Sequence, residues 1–172
     1  MSTPYDHLPS VPALTVTSTD LADGGPFAQP QYSAAFGVPG GEDRSPQLAW
    51  SGAPETAKSF VVSIYDPEAP TPSGFWHWMV VDIPADVTEL EAGVAELPGA
   101  AWAVKNDARM PGYVGSAPPE GAVDHYAIAV QALDIASVTE LGLDAEATPA
   151  FVSFNVLPHV VARGVITAIG SR

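Results

Sequence analysis

The sequence predicts a mainly β protein with an antiparallel core. Eighteen prolines and fifteen glycines are spread over its 172 residues, and short runs rich in β-branched and aromatic residues lie between them. Helical periodicity is almost absent before residue 135. Strands separated by Pro and Gly turns, without alternating helices, are typical of antiparallel sheets. The expected strands are residues 14–18, 60–65, 76–83, 101–105 and 126–133.

The segments that join these strands have the composition of turns and loops. Residues 20–25 and 38–45 combine Gly with Pro or acidic side chains, which favours irregular backbone. Ahead of the first strand, about residues 1–12 are expected to form an extended arm. A length of 172 residues suits one domain, since about 100–200 residues per domain are usual. We therefore expect residues 1–172 to form a single domain.

Two helices are expected near the end of the chain. For residues 148–154, Thr148 is a candidate N-cap and Pro149 suits the first helical position. For residues 158–169, apolar side chains recur at helical spacing. They are Val160, Val161, Val165 and Ile169. We expect this second helix to pack on the sheet.

Charge and composition exclude several classes of function. The net charge is −14, from 20 acidic residues against 6 Lys and Arg, so the chain has too few bases for a surface that binds nucleic acid. No cysteine is present, which removes thiol nucleophiles, thiolate metal sites and disulfides. The first residues have no secretory-signal pattern, and no apolar run approaches the ~18 residues of a membrane span. We expect a cytoplasmic protein.

One stretch, residues 63–84, concentrates the polar groups that a ligand site needs. Its sequence is SIYDPEAPTPSGFWHWMVVDIP. Asp66 lies in an acidic, Pro-rich loop, and His77 follows between two tryptophans at the start of an apolar run. A carboxylate, an imidazole and aromatic rings held by rigid turns suit a pocket for a small polar ligand.

Strand alternation indicates the direction of the histidine side chain. In residues 75–83, alternation places His77 on the same face as Met79 and Val81. His77 would then end a stripe directed at the core, where it could line a pocket. An inward histidine equally suits a core residue with satisfied hydrogen bonds, and this alternative stays open.

A second polar pair ends another apolar stripe. Alternation places Asp124 and Tyr126 on one face of the later strand and His125 on the opposite face. Polar groups at the ends of two inward faces predict a pocket at the rim of the core.

Other constellations do not support catalysis or metal binding. The sequence has no G-x-S-x-G elbow, P-loop or H-E-x-x-H motif. The turn at residues 115–117, Gly-Ser-Ala, resembles a nucleophile turn only loosely. The histidines His7, His77, His125 and His159 lack metal-ligand spacing. We expect no metal and no cofactor.

Four motifs occur along the chain in an order specific for one family. They are DPEAP at 66–70, GFWHW at 74–78, YVGSAPP at 113–119 and DHY at 124–126. These motifs, within a similarity that runs over about residues 14–169, resemble the phosphatidylethanolamine-binding protein family. This family includes the Raf kinase inhibitor protein, and the chain looks most similar to its bacterial members.

The resemblance implies both a fold and a site. The fold would have a large antiparallel sheet, a smaller sheet and peripheral helices including a C-terminal one. The site would accept phosphate-, acetate- or headgroup-like ligands. Carried over residue by residue, its ligand-binding positions are Asp66, Pro67, Glu68, Trp76, His77, Tyr113, Gly115, Ala117, Pro118, Asp124 and Tyr126.

Roles for these residues follow from the same resemblance. Backbone N–H groups of the turn at Gly115 would receive oxyanions. A doubly protonated His77, oriented by Asp66, would donate a charge-assisted hydrogen bond to them. For Asp66 and Pro67 a structural role as a loop brace stays open.

The chain departs from the family pattern at one pocket position. The family reads H-x-Y where this chain reads Asp124-His125-Tyr126, and a local register shift that returns His125 to the pocket stays open. A carboxylate beside Asp66 would repel phosphate. Our hypothesis is that the pocket binds simple anions weakly at neutral pH and accepts neutral, zwitterionic or cationic ligands better.

The expected function is non-catalytic ligand binding, because no nucleophile is paired with a base. The resemblance adds modulation of a kinase or protease as a protein partner, and a homodimer stays open. The alternative is a small-molecule hydrolase or lyase that uses Asp66, His77 and Asp124 as an acid/base set. A third reading is a pocket without function in a protein that associates through its surface.

Overall fold

The structure, a computed structural model, describes residues 3–172 and confirms a mainly β fold with two sheets. In chain order the strands of this part are β1 (Thr15–Thr17), β2 (Gly25–Pro26), β3 (Leu48–Ser51), β4 (Ser59–Asp66), β5 (Phe75–Pro84), β6 (Glu89–Leu90), β7 (Trp102–Ala103), β8 (Val123–Leu133) and β9 (Val160–Ser171). The larger sheet has the order β2-β9-β8-β4-β5-β7, and the smaller has the order β1-β3-β6. In the larger sheet β2 pairs with β9 in parallel, and the other pairs are antiparallel.

Both faces of the larger sheet are covered. One face packs with the smaller sheet around Trp50, Phe60 and Ile128. The other face packs around Val81 and Val152 against the segment that contains the helix. Burial on both faces explains why β4 and β8 are almost continuously apolar rather than alternating.

The first expected helix is confirmed as α1 (Pro149–Val156). Thr148 is its N-cap, since the Thr148 Oγ1 atom accepts a hydrogen bond from the backbone N–H of Phe151 at 3.3 Å. Pro149 occupies the first turn, where its missing N–H costs no helical hydrogen bond. Short 3₁₀ turns occur at Gln29–Gln31, Val138–Leu141 and Leu157–His159.

The second expected helix, residues 158–169, is wrong. Residues 158 and 159 end a 3₁₀ turn, and residues 160–169 belong to strand β9, which pairs with β8 over its length. Its even-numbered residues are buried and its odd-numbered residues are partly exposed, a period of two. The inward set includes Ala162, Gly164 and Ala168, whose small side chains hide the alternation from a hydrophobicity pattern.

The predicted direction of the His77 side chain is also wrong, because β5 contains a β-bulge at this residue. Tyr65 pairs with Trp76, and the next residue back along β4, Ile64, pairs with Trp78. His77 is therefore an extra residue without an opposite partner, which breaks the alternation. Its ring contacts the Tyr126 ring on the face of the smaller sheet. Met79, expected beside it, lies in the core on the opposite face.

The expected N-terminal arm lies against the larger sheet, as far as it is described. The hydroxyls of Tyr5 and Ser63 are 2.9 Å apart, and Arg163 Nη1 donates to the carbonyl oxygen of Pro9 at 3.3 Å. Residues 1 and 2 of the arm lie outside the described residues. No helix within residues 3–172 has the length and apolar character to cross a membrane.

Candidate functional site

A cavity of about 230 Å³ opens where β4 ends and where β5 and β8 begin. We refer to it as the Asp66–His77 cavity. It is lined by Phe36, Asp66, Ala69, Pro70, Thr71, Phe75, His77, Ala117, Asp124 and Tyr126. The ionisable side chains come from the three strands, and the loop after β4 together with Phe36, Phe75 and Ala117 forms the remaining wall.

His77 lines the cavity as a neutral imidazole. Its Nδ1 atom lies 2.8 Å from the carbonyl oxygen of Val114, which can only accept, so Nδ1 carries the proton. Burial lowers the pKa of His77 to about 4, although its hydrogen bonds to backbone carbonyls oppose this shift. At neutral pH the Nε2 atom therefore carries a lone pair and can accept a hydrogen bond. A doubly protonated His77, expected from the resemblance, does not fit this environment.

Asp66 ends β4 as a buried carboxyl group, 2% exposed. Its Oδ1 atom accepts hydrogen bonds from the backbone N–H groups of Glu68 at 2.8 Å and Ala69 at 3.0 Å. Burial, together with the charge of Asp124, nevertheless raises the pKa of Asp66 to about 6. Asp66 thus braces the loop, as one reading of the sequence proposed, and also lines the cavity.

Asp124 is the second residue of β8; it lines the cavity and is 6% exposed. Its carboxyl lies within hydrogen-bonding reach of the Asp66 carboxyl. Burial raises the pKa of Asp124, as does the charge of Glu68, while the hydrogen bond with Asp66 lowers it. Two neighbouring carboxyls of this kind share a proton, because both cannot ionise at little cost.

Tyr126 connects this pair to the core. The hydroxyl of Ser116 donates to the Tyr126 hydroxyl at 2.9 Å, and Tyr126 is hydrogen-bonded to Asp66. The result is a chain of hydrogen bonds from Ser116 through Tyr126 and Asp66 to Asp124. Gly170 on β9 leaves room for it, since a Cβ atom there would lie 2.8 Å from the Tyr126 ring.

Three of the predicted site residues, Pro67, Glu68 and Trp76, do not line the cavity. Pro67 and Glu68 border a shallow recess with His125. Glu68 accepts the backbone N–H of His125 at 2.7 Å and pairs with its Nδ1 atom at 2.8 Å. His125 therefore does not return to the cavity. Trp76 stacks on Tyr65 on the opposite face of the sheet, with ring centroids 4.4 Å apart.

The turn at residues 113–118 supports the cavity more than it lines it. The Tyr113 hydroxyl donates to the carbonyl oxygen of Gln31 at 2.7 Å, and Pro118 is buried. The Gly115 N–H, expected to receive an oxyanion, donates to Asp43 Oδ1 at 2.7 Å. Ala117 is the one of these predicted residues that reaches the wall. Ligand contacts by these residues stay predictions.

The sequence reasoning did not identify the aromatic part of the wall. The rings of Phe36 and Phe75 meet edge to face, with centroids 6.3 Å apart, and Phe75 also contacts the His77 ring at 4.8 Å. Phe75 lies two residues before His77, and strand alternation does place it on the same face, but the sequence did not assign it to the site. No local pattern could have found Phe36, because its contact spans 39 positions of sequence.

The described part of the chain contains no candidate metal site. Within residues 3–172, no group of three or more His, Asp or Glu side chains is arranged to hold a metal ion. The cavity instead offers two carboxyls, one imidazole acceptor and apolar walls. It can hold a small polar molecule and exchange protons with it.

These features define a class of protein, a two-sheet β fold with a small cavity, lined by ionisable and apolar side chains, at the ends of its central strands. The sequence profile of the phosphatidylethanolamine-binding protein family matches residues 17–170, and the chain belongs to this family. It is 40% identical over 162 residues to the UPF0098 protein YbhB of Escherichia coli K12, covering 92% of this chain and 100% of YbhB.

Solved structures agree with this assignment. The crystal structure of Escherichia coli YbcL, described as a member of the mammalian PEBP family, has a TM-score of 0.84 and 36% identity, covering 92% of this chain and 98% of YbcL. The phosphatidylethanolamine-binding protein homologue CT736 of Chlamydia trachomatis has a TM-score of 0.77 and 26% identity, covering 93% and 98% of the two chains.

Proposed function

We propose that the protein binds a small polar ligand in the Asp66–His77 cavity, as a ligand-binding member of its family. The observation that carries the proposal is the convergence of Asp66, His77, Asp124 and Tyr126 from three strands on one cavity of about 230 Å³. Ligand sites are typically concave, largely apolar and lined by a few polar groups, so this convergence supports a bound small molecule. The ligand classes under test are the phosphate-, acetate- and headgroup-like molecules that the sequence resemblance implies.

The experiment is to block the cavity without changing its charge. Ala117 lines the wall and is partly exposed, so Ala117→Phe should fill the space. A panel of phosphate, acetate, glycerophosphate and small amines is titrated by NMR against wild type, Ala117→Phe and the exposed control Ala100→Phe. We expect at least one compound to bind wild type and the control saturably and to lose binding in Ala117→Phe. Equal binding to all three proteins would contradict the proposal.

A modulatory role on a kinase or protease is a finer proposal, supported by family membership. Its test is inhibition of candidate enzymes by wild type and by Ala117→Phe, with loss of inhibition only in the variant linking the role to the cavity. A homodimer and a cytoplasmic location stay predictions. Sedimentation of the purified protein and fractionation of the native cells would test them.

A second candidate function is acid/base catalysis, either hydrolysis or a lyase reaction. It is favoured by the raised pKa of Asp66 and the neutral imidazole of His77 within one cavity, because a proton donor and a proton acceptor are then available near pH 6. Turnover of a small polar substrate that His77→Ala abolishes, with ligand binding retained, would establish it. Binding without turnover across a substrate panel would leave the binding protein as the function.

A further inference from the structure

The peptide unit between Val114 and Gly115 joins the histidine of the cavity to a carboxylate outside it. The carbonyl oxygen of this unit accepts the Nδ1–H of His77 at 2.8 Å, and its N–H donates to Asp43 Oδ1 at 2.7 Å. The amide is planar and trans, so its C=O and N–H groups point in opposite directions. Asp43 and His77 therefore lie at opposite ends of one amide dipole, and Asp43 is not among the described residues that line the cavity.

We propose that Asp43 is a positioning residue, which acts on His77 through this amide and makes Nε2 a stronger hydrogen-bond acceptor toward the cavity. The inference rests on the function proposed above, because it concerns the ring atom that a ligand would meet, and it specifies how that atom is tuned. A carboxylate at the N–H end of an amide polarises it, which strengthens the carbonyl oxygen at the other end as an acceptor. A stronger hydrogen bond from Nδ1–H in turn raises the basicity of Nε2.

Val114 holds His77 through the backbone as well as through the ring. The backbone N–H of Val114 donates to the carbonyl oxygen of His77 at 3.0 Å, in addition to the hydrogen bond from Nδ1–H to the Val114 carbonyl oxygen. The imidazole also contacts the rings of Phe75 and Tyr126, with centroids 4.8 and 5.1 Å away. These contacts limit rotation of the ring, so Nδ1 stays directed at the Val114 carbonyl oxygen.

Asp43 is itself held in place by two further hydrogen bonds. Its backbone N–H donates to the carbonyl oxygen of Tyr32 at 3.0 Å, and its Oδ2 atom accepts the N–H of Ala35 at 2.8 Å. Its φ of 51° is left-handed, a region that Asp adopts more readily than most residues. No Lys or Arg within residues 3–172 forms an ion pair with Asp43. Its charge is therefore stabilised by two backbone N–H groups, one of which belongs to the amide that contacts His77.

The electrostatic surroundings of His77 make an effect of Asp43 measurable. Burial lowers the pKa of His77 to about 4, whereas the carbonyl oxygens of Val114 and Gly115 and the charge of Asp43 oppose this shift. Three other ionisable side chains share the cavity wall with the ring, namely Asp66, Asp124 and Tyr126. Because Asp43 acts from outside the cavity, its removal changes the His77 ring and leaves these wall residues in place.

The alternative is a purely structural role for Asp43, which also connects the loop at residue 35 to the turn at residue 115. A brace of this kind would contribute to stability alone. A positioning residue would in addition change the electronic state of the His77 ring. NMR of that ring separates the two roles.

The test compares wild type with three variants of the whole chain. Asp43→Asn removes the charge and suits the left-handed backbone, and Asp43→Gly removes the side chain without straining that backbone. The matched control is Asp107→Asn, since Asp107 also accepts a backbone N–H, that of Trp76, at 2.8 Å. Asp107 thus bonds the residue before His77 but does not share the amide that contacts the ring. Thermal unfolding checks that each variant is folded.

The measurements are ¹H–¹⁵N NMR of the His77 ring over a pH titration and hydrogen exchange of the Gly115 amide. In both Asp43 variants we expect the Hδ1 resonance to move upfield and the pKa of His77 to fall below its wild-type value, because a charge that raises it is lost. The Gly115 N–H should exchange at least about tenfold faster, the range of one charge-assisted hydrogen bond. Asp107→Asn should match wild type in all three measurements.

An unchanged His77 ring in folded Asp43→Asn would overturn the inference and leave Asp43 as a loop brace. An equal change in Asp107→Asn would overturn it as well, since the effect would then be one of general charge. Wild type also tests it without any variant, because a Gly115 N–H that exchanges as fast as an exposed amide would exclude the hydrogen bond to Asp43. These experiments contain no ligand, so their failure leaves the proposed function standing. That function fails separately, when no compound of the panel binds in the cavity.

Discussion

The Nδ1 atom of His77 lies 2.8 Å from the carbonyl oxygen of Val114, and this hydrogen bond fixes the ring in the cavity. Because a carbonyl oxygen cannot donate, the proton resides on Nδ1 and the lone pair of Nε2 is left for the cavity. The contact joins the bulge in β5 to the turn before residue 115, segments 37 positions apart in sequence. Within the His77 ring, Nδ1 therefore makes a polar contact in the core, and Nε2 is the atom left for a ligand.

The first prediction concerns the titration of His77. We expect ¹⁵N NMR to show the neutral Nδ1–H tautomer at pH 7 and a pKa of about 4, because burial disfavours the imidazolium. The unfolded chain binds this proton near pH 6.5, whereas the folded protein does not. The contribution of His77 to stability is therefore complete above pH 6.5 and is lost as pH falls through 4. A folded-state titration near pH 6.5, or an Nε2–H tautomer, would contradict this account.

The second prediction concerns the stability cost of the carboxyl pair. The pKa of Asp66 is raised from 3.8 to about 6, so the folded state holds a proton that the unfolded state releases. Stability falls as pH rises from about 4 through 6. Asp124→Asn removes a neighbouring charge and should raise the free energy of unfolding at pH 7 by about 1 kcal/mol, with a smaller gain at pH 4.

Urea unfolding at both pH values measures this effect. Asp86→Asn, which is exposed, serves as a control and should change stability by less than about 0.5 kcal/mol. A loss of stability in Asp124→Asn that is larger at pH 7 than at pH 4 would show that the Asp124 charge is favourable, against this account.

The third prediction tests the close packing of the turn beneath the cavity. A Cβ atom on Gly115 would lie 2.5 Å from the backbone nitrogen of Ser33, and backbone cannot move aside easily. Gly115→Ala should destabilise the protein by about 3 kcal/mol or more. At Gly121, φ is +78° but the space is open, so Gly121→Ala should cost only about 1–2 kcal/mol of backbone strain. Equal losses in thermal unfolding would contradict the packing described.

The fourth prediction concerns the start of α1. Thr148→Ala removes the acceptor for the Phe151 N–H and should cost about 1 kcal/mol of stability. The control is Ser153→Ala inside the helix, where the hydroxyl only bonds back to the carbonyl oxygen of Pro149 and the change should be near neutral. A Thr148→Ala protein as stable as Ser153→Ala would exclude the capping role.

The sequence predicts β1, β4, β5, β7, β8 and the start of α1, because these depend on local composition and capping, and it misses the short strands β2, β3 and β6. It fails for β9, since four of the six inward residues are Ala or Gly, while the large apolar residues Val161, Val165 and Ile169 are on the outer face. Buried residues do recur with a period of two along β9, but most of them have small side chains. Pairing with β8, a contact between distant segments, decides the structure there.

At the site as well, features set by the local sequence are predicted, whereas features set by contacts between distant segments are not. Alternation correctly places Asp124 and Tyr126 on one face and His125 on the other. It fails for His77, because a bulge arises from pairing with β4 and leaves no local trace. The hydrogen bond from Gly115 to Asp43 spans 72 positions, so sequence alone could not show that this N–H is occupied.

The most direct test of the central claim, that the Asp66–His77 cavity is a ligand site, is an aromatic ¹H–¹³C NMR titration of wild type at pH 7.5 with the panel of phosphate, acetate, glycerophosphate and small amines. We predict saturable shifts of the rings of His77, Phe36 and Phe75, which line the cavity. The ring of His159, paired with Asp134 outside the cavity, should stay unchanged. Saturable shifts at His159 or at the outward-facing His125, with none at His77, would contradict the claim that this cavity is the ligand site.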